Sequence, residues 1–309
     1  MLPTPNRVTR DHPSVVARPE PFHRTVSRVV AGCARSTGTH ATRRPIELCK
    51  PKTVDATRLE SLIHNPRWGM QQKYDGVRCV VACTSGRVSA ANRNSEPFRW
   101  GRNQIDAITN EFPTDTDYIL DGELAWERFY AFDELSQPND PYKVRLARAT
   151  ALVESWNRRH IRPVPTWYTT TNKRAAFQAI HDQAIEGVIL RRLDAPHTPG
   201  HNAEATVRYK CLQSADVILA GRNGTKASVC MAVRNGGGEV RVGSVTVLGR
   251  ALWAAIEPGM VAEVRYLYAT EYDQLFQPCI VRLRDDKPAC DCTLDQLVRP
   301  NKGEMADVV

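Results

Sequence analysis

The sequence predicts an α+β body followed by a small all-β module, and three observations carry that reading. Between residue 46 and about residue 212, short strand-like runs alternate with amphipathic helical segments. After Leu212, five short strand candidates follow one another with a single helical segment among them. Glycine-rich turns such as Gly236-Gly237-Gly238 separate those strands, a pattern that suits a small β-barrel of the OB-fold kind. A chain of 309 residues, 42% of them hydrophobic, is long enough to bury two such cores.

The elements are justified in order. Residues 1–45 hold proline, arginine, serine and threonine, no tyrosine or tryptophan, and no sustained period of either 2 or 3.6. They are expected to form a disordered basic arm that serves as a nonspecific DNA-binding tail, an organelle transit sequence, or a functionless extension. Val54–Ile63 has the spacing of a short helix. Met70–Ala82 and Arg87–Ala91 read as two strands around the Ser85-Gly86 turn, an antiparallel start. Ile105–Phe112 has helical spacing, Tyr118–Trp126 and Arg128–Asp133 have strand character, and Tyr142–Arg159 and Arg174–Ala184 are amphipathic helices. Two further strands, Gly187–Arg192 and Thr206–Lys210, complete a domain expected to span 46–212, with a hinge at Leu212–Ser214. In the second domain, 213–300, the strands are Asp216–Gly221, Ser228–Val233, Glu239–Val242, Met260–Ala269 and Cys279–Leu283, with a helix at Val247–Ile256. Residues 301–309 are a tail, and no internal repeat is found.

The net charge of +8 resembles a nucleic-acid signal until it is divided along the chain. Eight arginines against two acids in residues 1–45 account for +6 of it. A DNA-binding surface on the folded body must therefore be a local patch. The nine cysteines are scattered and odd in number, which fits plain thiols in a reducing compartment; Cys290 and Cys292 lack the spacing of a zinc site. No apolar run approaches the length of a membrane span, and no secretory leader is read. A cytoplasmic protein with no membrane partner is expected.

The stretch Met70 to Val81, MQQKYDGVRCVV, places Lys73 two residues before an Asp75-Gly76 pair and five before Arg78. The glycine accepts positive φ and permits close backbone approach. In a pocket crowded with other cations a lysine loses its proton more readily, and a deprotonated lysine is a nucleophile.

At this point the sequence resembles the covalent nucleotidyltransferases, whose first motif, KxDGxR, is matched by Lys73-Tyr74-Asp75-Gly76-Val77-Arg78. Further motifs follow in the family's order: Asn92-Arg93-Asn94, Leu120-Asp121-Gly122-Glu123-Leu124, Ala131-Phe132-Asp133-Glu134-Leu135, Glu186-Gly187-Val188-Ile189, Val207-Arg208-Tyr209-Lys210, and Val281-Arg282-Leu283-Arg284-Asp285-Asp286-Lys287. A lone KxDG arises often by chance, whereas ordered co-occurrence over Pro45 to Pro300 is specific. The wording looks most like the ATP-dependent DNA ligases of the small bacteriophage type. The one departure is Arg208, where the fifth motif usually carries a lysine.

The resemblance implies a nucleotidyltransferase (ATP-grasp-like ligase) domain with antiparallel sheets, then a C-terminal OB-fold barrel. It implies that Lys73 attacks the α-phosphorus of ATP to form a lysyl-adenylate. Arg208, Lys210, Arg284 and Lys287 would hold the phosphates, Arg78 and Arg93 the ribose or phosphate, and Glu123 the ribose hydroxyls. Phe132 would stack on adenine. Asp75, Glu123 and Glu186 would hold Mg²⁺ or Mn²⁺. The implied partner is nicked double-stranded DNA, met by a monomer. RNA ligases and GTP-using capping enzymes share the nucleophile and stand as alternatives. So does a noncatalytic nucleic-acid-binding protein, which would have no use for Lys73.

Overall fold

The structure is a computed structural model that describes residues 47–98, 108–125 and 127–300, with the backbone alone at 201–203. The expected arm, the tail and the first part of the helix expected at Ile105–Phe112 lie outside the described residues. In chain order the elements are β1 (Cys49–Thr53), α1 (Ala56–Ile63), β2 (Trp68–Gln72), β3 (Val77–Thr84), β4 (Arg87–Asn92), β5 (Tyr118–Ala125), β6 (Arg128–Glu134), α2 (Tyr142–Trp156), β7 (Ile161–Pro163) and β8 (Thr166–Trp167). Then come α3 (Thr170–Asp182), β9 (Gly187–Arg192), β10 (Gly200–Lys210), β11 (Gln213–Arg222), β12 (Ser228–Asn235), β13 (Gly238–Thr246), α4 (Arg250–Ala255), β14 (Val261–Tyr266) and β15 (Cys279–Arg284).

Local chemistry sets several boundaries. The Asp55 side chain accepts from the Arg58 amide at 2.8 Å and starts α1. Thr169 caps α3 through the Asn172 amide at 3.2 Å, which begins that helix ahead of the apolar period seen in sequence. Asn157, at φ 48°, ends α2 in the left-handed conformation, short of the expected Arg159. Ser85 and Gly86, at φ 50° and 75°, form the tight turn between β3 and β4.

The strands form three five-stranded sheets, ordered β1-β10-β9-β2-β8, β4-β3-β5-β6-β7 and β13-β12-β11-β14-β15. The first buries Met70, Val188 and Leu190 against Leu59, Leu62 and Ile180 of α1 and α3. The second packs Val81, Leu120 and Phe129 on Ala149 and Val153 of α2. The third has its own core around Val217, Met231, Val264 and Tyr266.

Three expectations need correction. Met70–Ala82 is not one strand: β2 ends at Gln72, β3 begins at Val77, and they belong to different sheets. The first two sheets are mixed rather than antiparallel, since β1 pairs parallel with β10 and β6 with β7. Side-chain alternation is the same in parallel and antiparallel strands, so it carries no partner direction. Among the described residues the third sheet is open in its hydrogen-bonded order, with β13 and β15 at its edges, so the expected barrel is not closed by strand pairing. Eight described cysteines are unpaired, and no described helix is long and apolar enough to cross a membrane.

Candidate active site

The site is built where the chain crosses from the first sheet to the second. All five residues of β2 are buried, and the strand is hydrogen-bonded to β9. One residue past its end, the Lys73 amide donates to the Gly187 carbonyl at 2.8 Å. That bond continues the register with Lys73 opposite Gly187, and its Nζ forms an ion pair with the carboxylate of the preceding residue, Glu186. Glu186 is 3% exposed, and its other oxygen lies 3.1 Å from Lys210 Nζ. Lys73 is thus partnered by an acid, not by the crowd of cations expected from sequence, and two lysines share one buried carboxylate.

The crossing itself is anchored by aromatic and backbone contacts. Tyr74 stacks on Tyr130 with ring centroids 4.0 Å apart. A Cβ on Gly76 would stand 2.3 Å from the Leu124 carbonyl oxygen, so this position requires glycine for close approach. Positive φ, the other expected reason, does not apply: Gly76 lies outside the left-handed region.

In the second sheet Arg78 on β3 stands across from Glu123 on β5. Arg78 grips Asp121 with two bonds, at 2.9 and 2.5 Å, and donates to the Cys49 carbonyl. Burial disfavours the guanidinium charge, but Asp121 outweighs it and holds the pKa above its ordinary value. Glu123 behaves oppositely. Burial pushes its carboxyl up to about 7, and the charges of Lys73 and Arg78 only partly offset that. Burial and the charge of Glu186 likewise raise the Asp75 carboxyl.

Phe132 on β6 is partly buried among Tyr74, Ala125, Tyr130 and Val164. The Arg191 guanidinium lies 4.5 Å from its ring centroid and that of Arg78 5.5 Å. The structure therefore brings together Lys73, Asp75, Arg78, Glu123, Phe132, Glu186 and Lys210. Four other sequence candidates stand elsewhere. Arg208, two residues before Lys210 on β10, bonds Thr53 Oγ1 at 2.9 Å. Arg93 is exposed in a turn built by Asn92, whose Oδ1 accepts the amides of Asn94 and Glu96 at 2.8 and 3.1 Å. Arg284 pairs with Asp216 at 3.1 Å and Asp286 at 2.7 Å, and Lys287 with Asp216 at 2.7 Å. Arg284 ends β15 on the third sheet and Lys287 lies three residues beyond it, each with partners of its own.

Sequence reading missed Asp121 as the clamp on Arg78, and missed Arg191. It also missed two contacts from the loop between β14 and β15. Tyr268 donates to Asp75 Oδ2 at 3.3 Å, and Lys210 donates to Gln277 Oε1 at 2.7 Å. No motif marks Tyr268 or Gln277, and only the tertiary fold brings them to the site.

Among the described residues no group of three or more His, Cys, Asp or Glu side chains is arranged to hold a metal by itself. Asp75, Glu123 and Glu186 would supply only part of a divalent cation's ligand sphere. Mg²⁺ commonly takes one or two carboxylates and fills its sphere with phosphate oxygens and water. Glu123, whose raised pKa the charges of Lys73 and Arg78 only partly offset, fits such a donor set.

No protein-family profile and no curated protein matches the chain. Solved structures do. A Lig E DNA ligase is 16% identical with a TM-score of 0.58, covering 77% of this chain and 99% of that one. The structure called Pmar-Lig_PreS3 is 15% identical with a TM-score of 0.57, over 77% of this chain and 67% of that one. The ATP-dependent DNA ligase of bacteriophage T7 in complex with ATP is 13% identical with a TM-score of 0.42, over 77% and 98%. With its mixed sheets, the chain shares the fold of the Lig E DNA ligase structure.

Proposed function

We propose that the chain is an ATP-dependent DNA ligase that seals nicks in duplex DNA through a lysyl-AMP intermediate. The observation that carries this reading is Lys73 ion-paired with buried Glu186, with Lys210 on the same carboxylate and Glu123 and Arg78 beside it. A noncatalytic binding module has no use for two lysines drawn onto one buried acid.

In the first step the Lys73 amine attacks the α-phosphorus, a P–N bond forms, and the P–O bond to pyrophosphate breaks. The Lys73 ammonium first gives one proton to its partner Glu186, which frees the amine, and the second, shed as the P–N bond forms, leaves to solvent with pyrophosphate. Lys210 then turns from Glu186 to the triphosphate, where its positive charge offsets developing negative charge. Phe132 offers its ring to adenine, and Glu123 its carboxylate to the ribose. Arg208 keeps the cation that the fifth motif requires, in guanidinium form. Asp75, Glu123 and Glu186 would hold Mg²⁺, which neutralises phosphate charge when bound. AMP next passes from Lys73 to a 5′-phosphate at the nick, and the 3′-hydroxyl displaces it to close the strand.

Residues 213–300 serve in this reading as an OB-type module, and 46–212 as the adenylation domain. Only Cys211 and Leu212 separate β10 from β11. A hinge there would carry the third sheet, with Arg284, Lys287 and Asp216 together, toward the pyrophosphate, where the two cations would exchange Asp216 for phosphate oxygens.

The test is to incubate the full chain with Mg²⁺ and α-labelled ATP, GTP or NAD. Label from ATP that resists SDS, disappears in Lys73→Ala and chases onto nicked DNA is expected. No label from any nucleotide would refute the enzyme, and a chase onto nicked RNA alone would refute the substrate.

A further inference from the structure

The buried cation behind Phe132 has no role in the chemistry above. Arg191 lies near the end of β9, five residues beyond Glu186, and is only 7% exposed. Its guanidinium lies against two rings, 4.5 Å from the centroid of Phe132 and 5.1 Å from that of Tyr142. Conventional partners are scarce. The Asp133 carboxylate is gripped by Arg145 at 2.8 and 3.0 Å and stands 4.0 Å from Arg191. The Arg191 Nε is buried and has no hydrogen-bond partner among the described residues.

A buried arginine with an unsatisfied donor is unfavourable, and an apolar side chain of similar volume would fill the space without that cost. The two aromatic faces, together with the Asp133 carboxylate 4.0 Å away, are what hold the guanidinium. Those rings are themselves tied together. Tyr142 Oη donates to the Phe132 carbonyl at 2.8 Å, and Gln71 Nε2 donates to Tyr142 Oη at 2.9 Å. Gln71 is two residues before Lys73. The backbone of Phe132 is thus fixed by Tyr142, and its ring by Arg191.

Resting on the reading that Phe132 stacks on the nucleobase, we propose that Arg191 is a positioning residue for ATP. Wedged against Phe132 and Tyr142, it fixes the plane of the Phe132 ring and so presets the surface that receives adenine. It touches no reacting atom, so its effect belongs to nucleotide binding, not to the rate of phosphoryl transfer.

The test measures label transfer from α-labelled ATP to the full-length chain across ATP concentrations, for the wild type, Arg191→Met, Arg191→Lys, Phe132→Leu and the Arg191→Met/Phe132→Leu double variant. Arg191→Met is expected to raise the half-saturating ATP concentration by about five- to thirtyfold, the range between a partly exposed and a desolvated cation–π contact, with the maximal rate within about twofold of wild type. Arg191→Lys keeps the cation without the planar fork and is expected to fall between the two. In the Phe132→Leu background, removing Arg191 is expected to add less than about a twofold effect. Multiplicative effects in the double variant, or a fallen maximal rate with unchanged half-saturation in Arg191→Lys, would overturn the proposal while leaving the ligase reading intact. Absence of label on the wild type would overturn both.

Discussion

Replacing Glu123 with glutamine is expected to make the protein more stable and less active, by amounts that depend on pH. The Glu123 carboxyl is raised from an ordinary 4.5 to about 7, first by burial and then by Asp121 and Glu186, against the opposing charges of Lys73 and Arg78. A group whose folded-state pKa is raised favours folding only in its protonated form. The cost of holding it charged is absent below about pH 4.5, grows between there and about 7, and is complete above. At 1.36 kcal/mol per pH unit the shift corresponds to roughly 3 kcal/mol, and partial contact with water reduces this to about 2. Glu123→Gln keeps the shape and removes the charge. Urea unfolding at pH 5, 6, 7 and 8 should show little difference from wild type at pH 5 and a gain of about 2 kcal/mol at pH 8. Lysyl-AMP formation should meanwhile fall by about ten- to a hundredfold, the range for losing a hydrogen bond to a charged group. A stability difference that is flat with pH, or a variant less stable than wild type at pH 8, would refute the assignment of a strained, buried acid.

Other consequences follow from the same geometry. Lys173 on α3 is fully buried, and its Nζ donates to the carbonyls of Leu62, Asn65 and Trp68 at 3.2, 2.9 and 3.1 Å, tying α1 to the start of β2. Lys173→Met strands those acceptors and should cost about 2–4 kcal/mol in urea unfolding; a cost below about 0.5 kcal/mol would mean that water takes over. Gly187 has φ 143°, and a Cβ there would lie 2.0 Å from the Tyr209 carbonyl oxygen. Gly187→Ala should therefore wedge β9 from β10, separate Glu186 from Lys210 and abolish adenylate formation, with a loss of at least about 2 kcal/mol in stability. Tyr268→Phe removes the bond to Asp75 and should lower stability by about 1 kcal/mol, read as a shift in the urea midpoint; a shift of twice that size would imply a larger contact between the third sheet and the site.

Much of this protein is legible in its sequence because its signals are local. Lys73-Tyr74-Asp75-Gly76 announces itself through residue types at fixed spacing, and the order of the later motifs places Glu123, Phe132, Glu186 and Lys210 around it. The Ser85-Gly86 turn and the presence of short strands β5, β6 and β11–β15 are likewise consequences of local residue types and backbone sterics. Tertiary structure decided what depends on partners distant along the chain. Strand-like residues on both sides of Asp75-Gly76 read as one strand over Met70–Ala82, and only the pairing of β2 with β9 and of β3 with β5 shows the chain changing sheets just past Lys73. Gly76 owes its place to a carbonyl nearly fifty residues later, and Glu123 its raised pKa to burial, which no spacing reports. Arg284 and Lys287 are plain cations in sequence; their seat on Asp216 is set by the third sheet. Arg191 reads as one more basic residue at the end of a strand, and its place between two rings exists only because β6, β9 and α2 meet there. Residue type and spacing fix which chemistry is available, while burial and long-range pairing decide which charge meets which, because electrostatic energies depend on distance and solvent exclusion that a linear pattern does not contain.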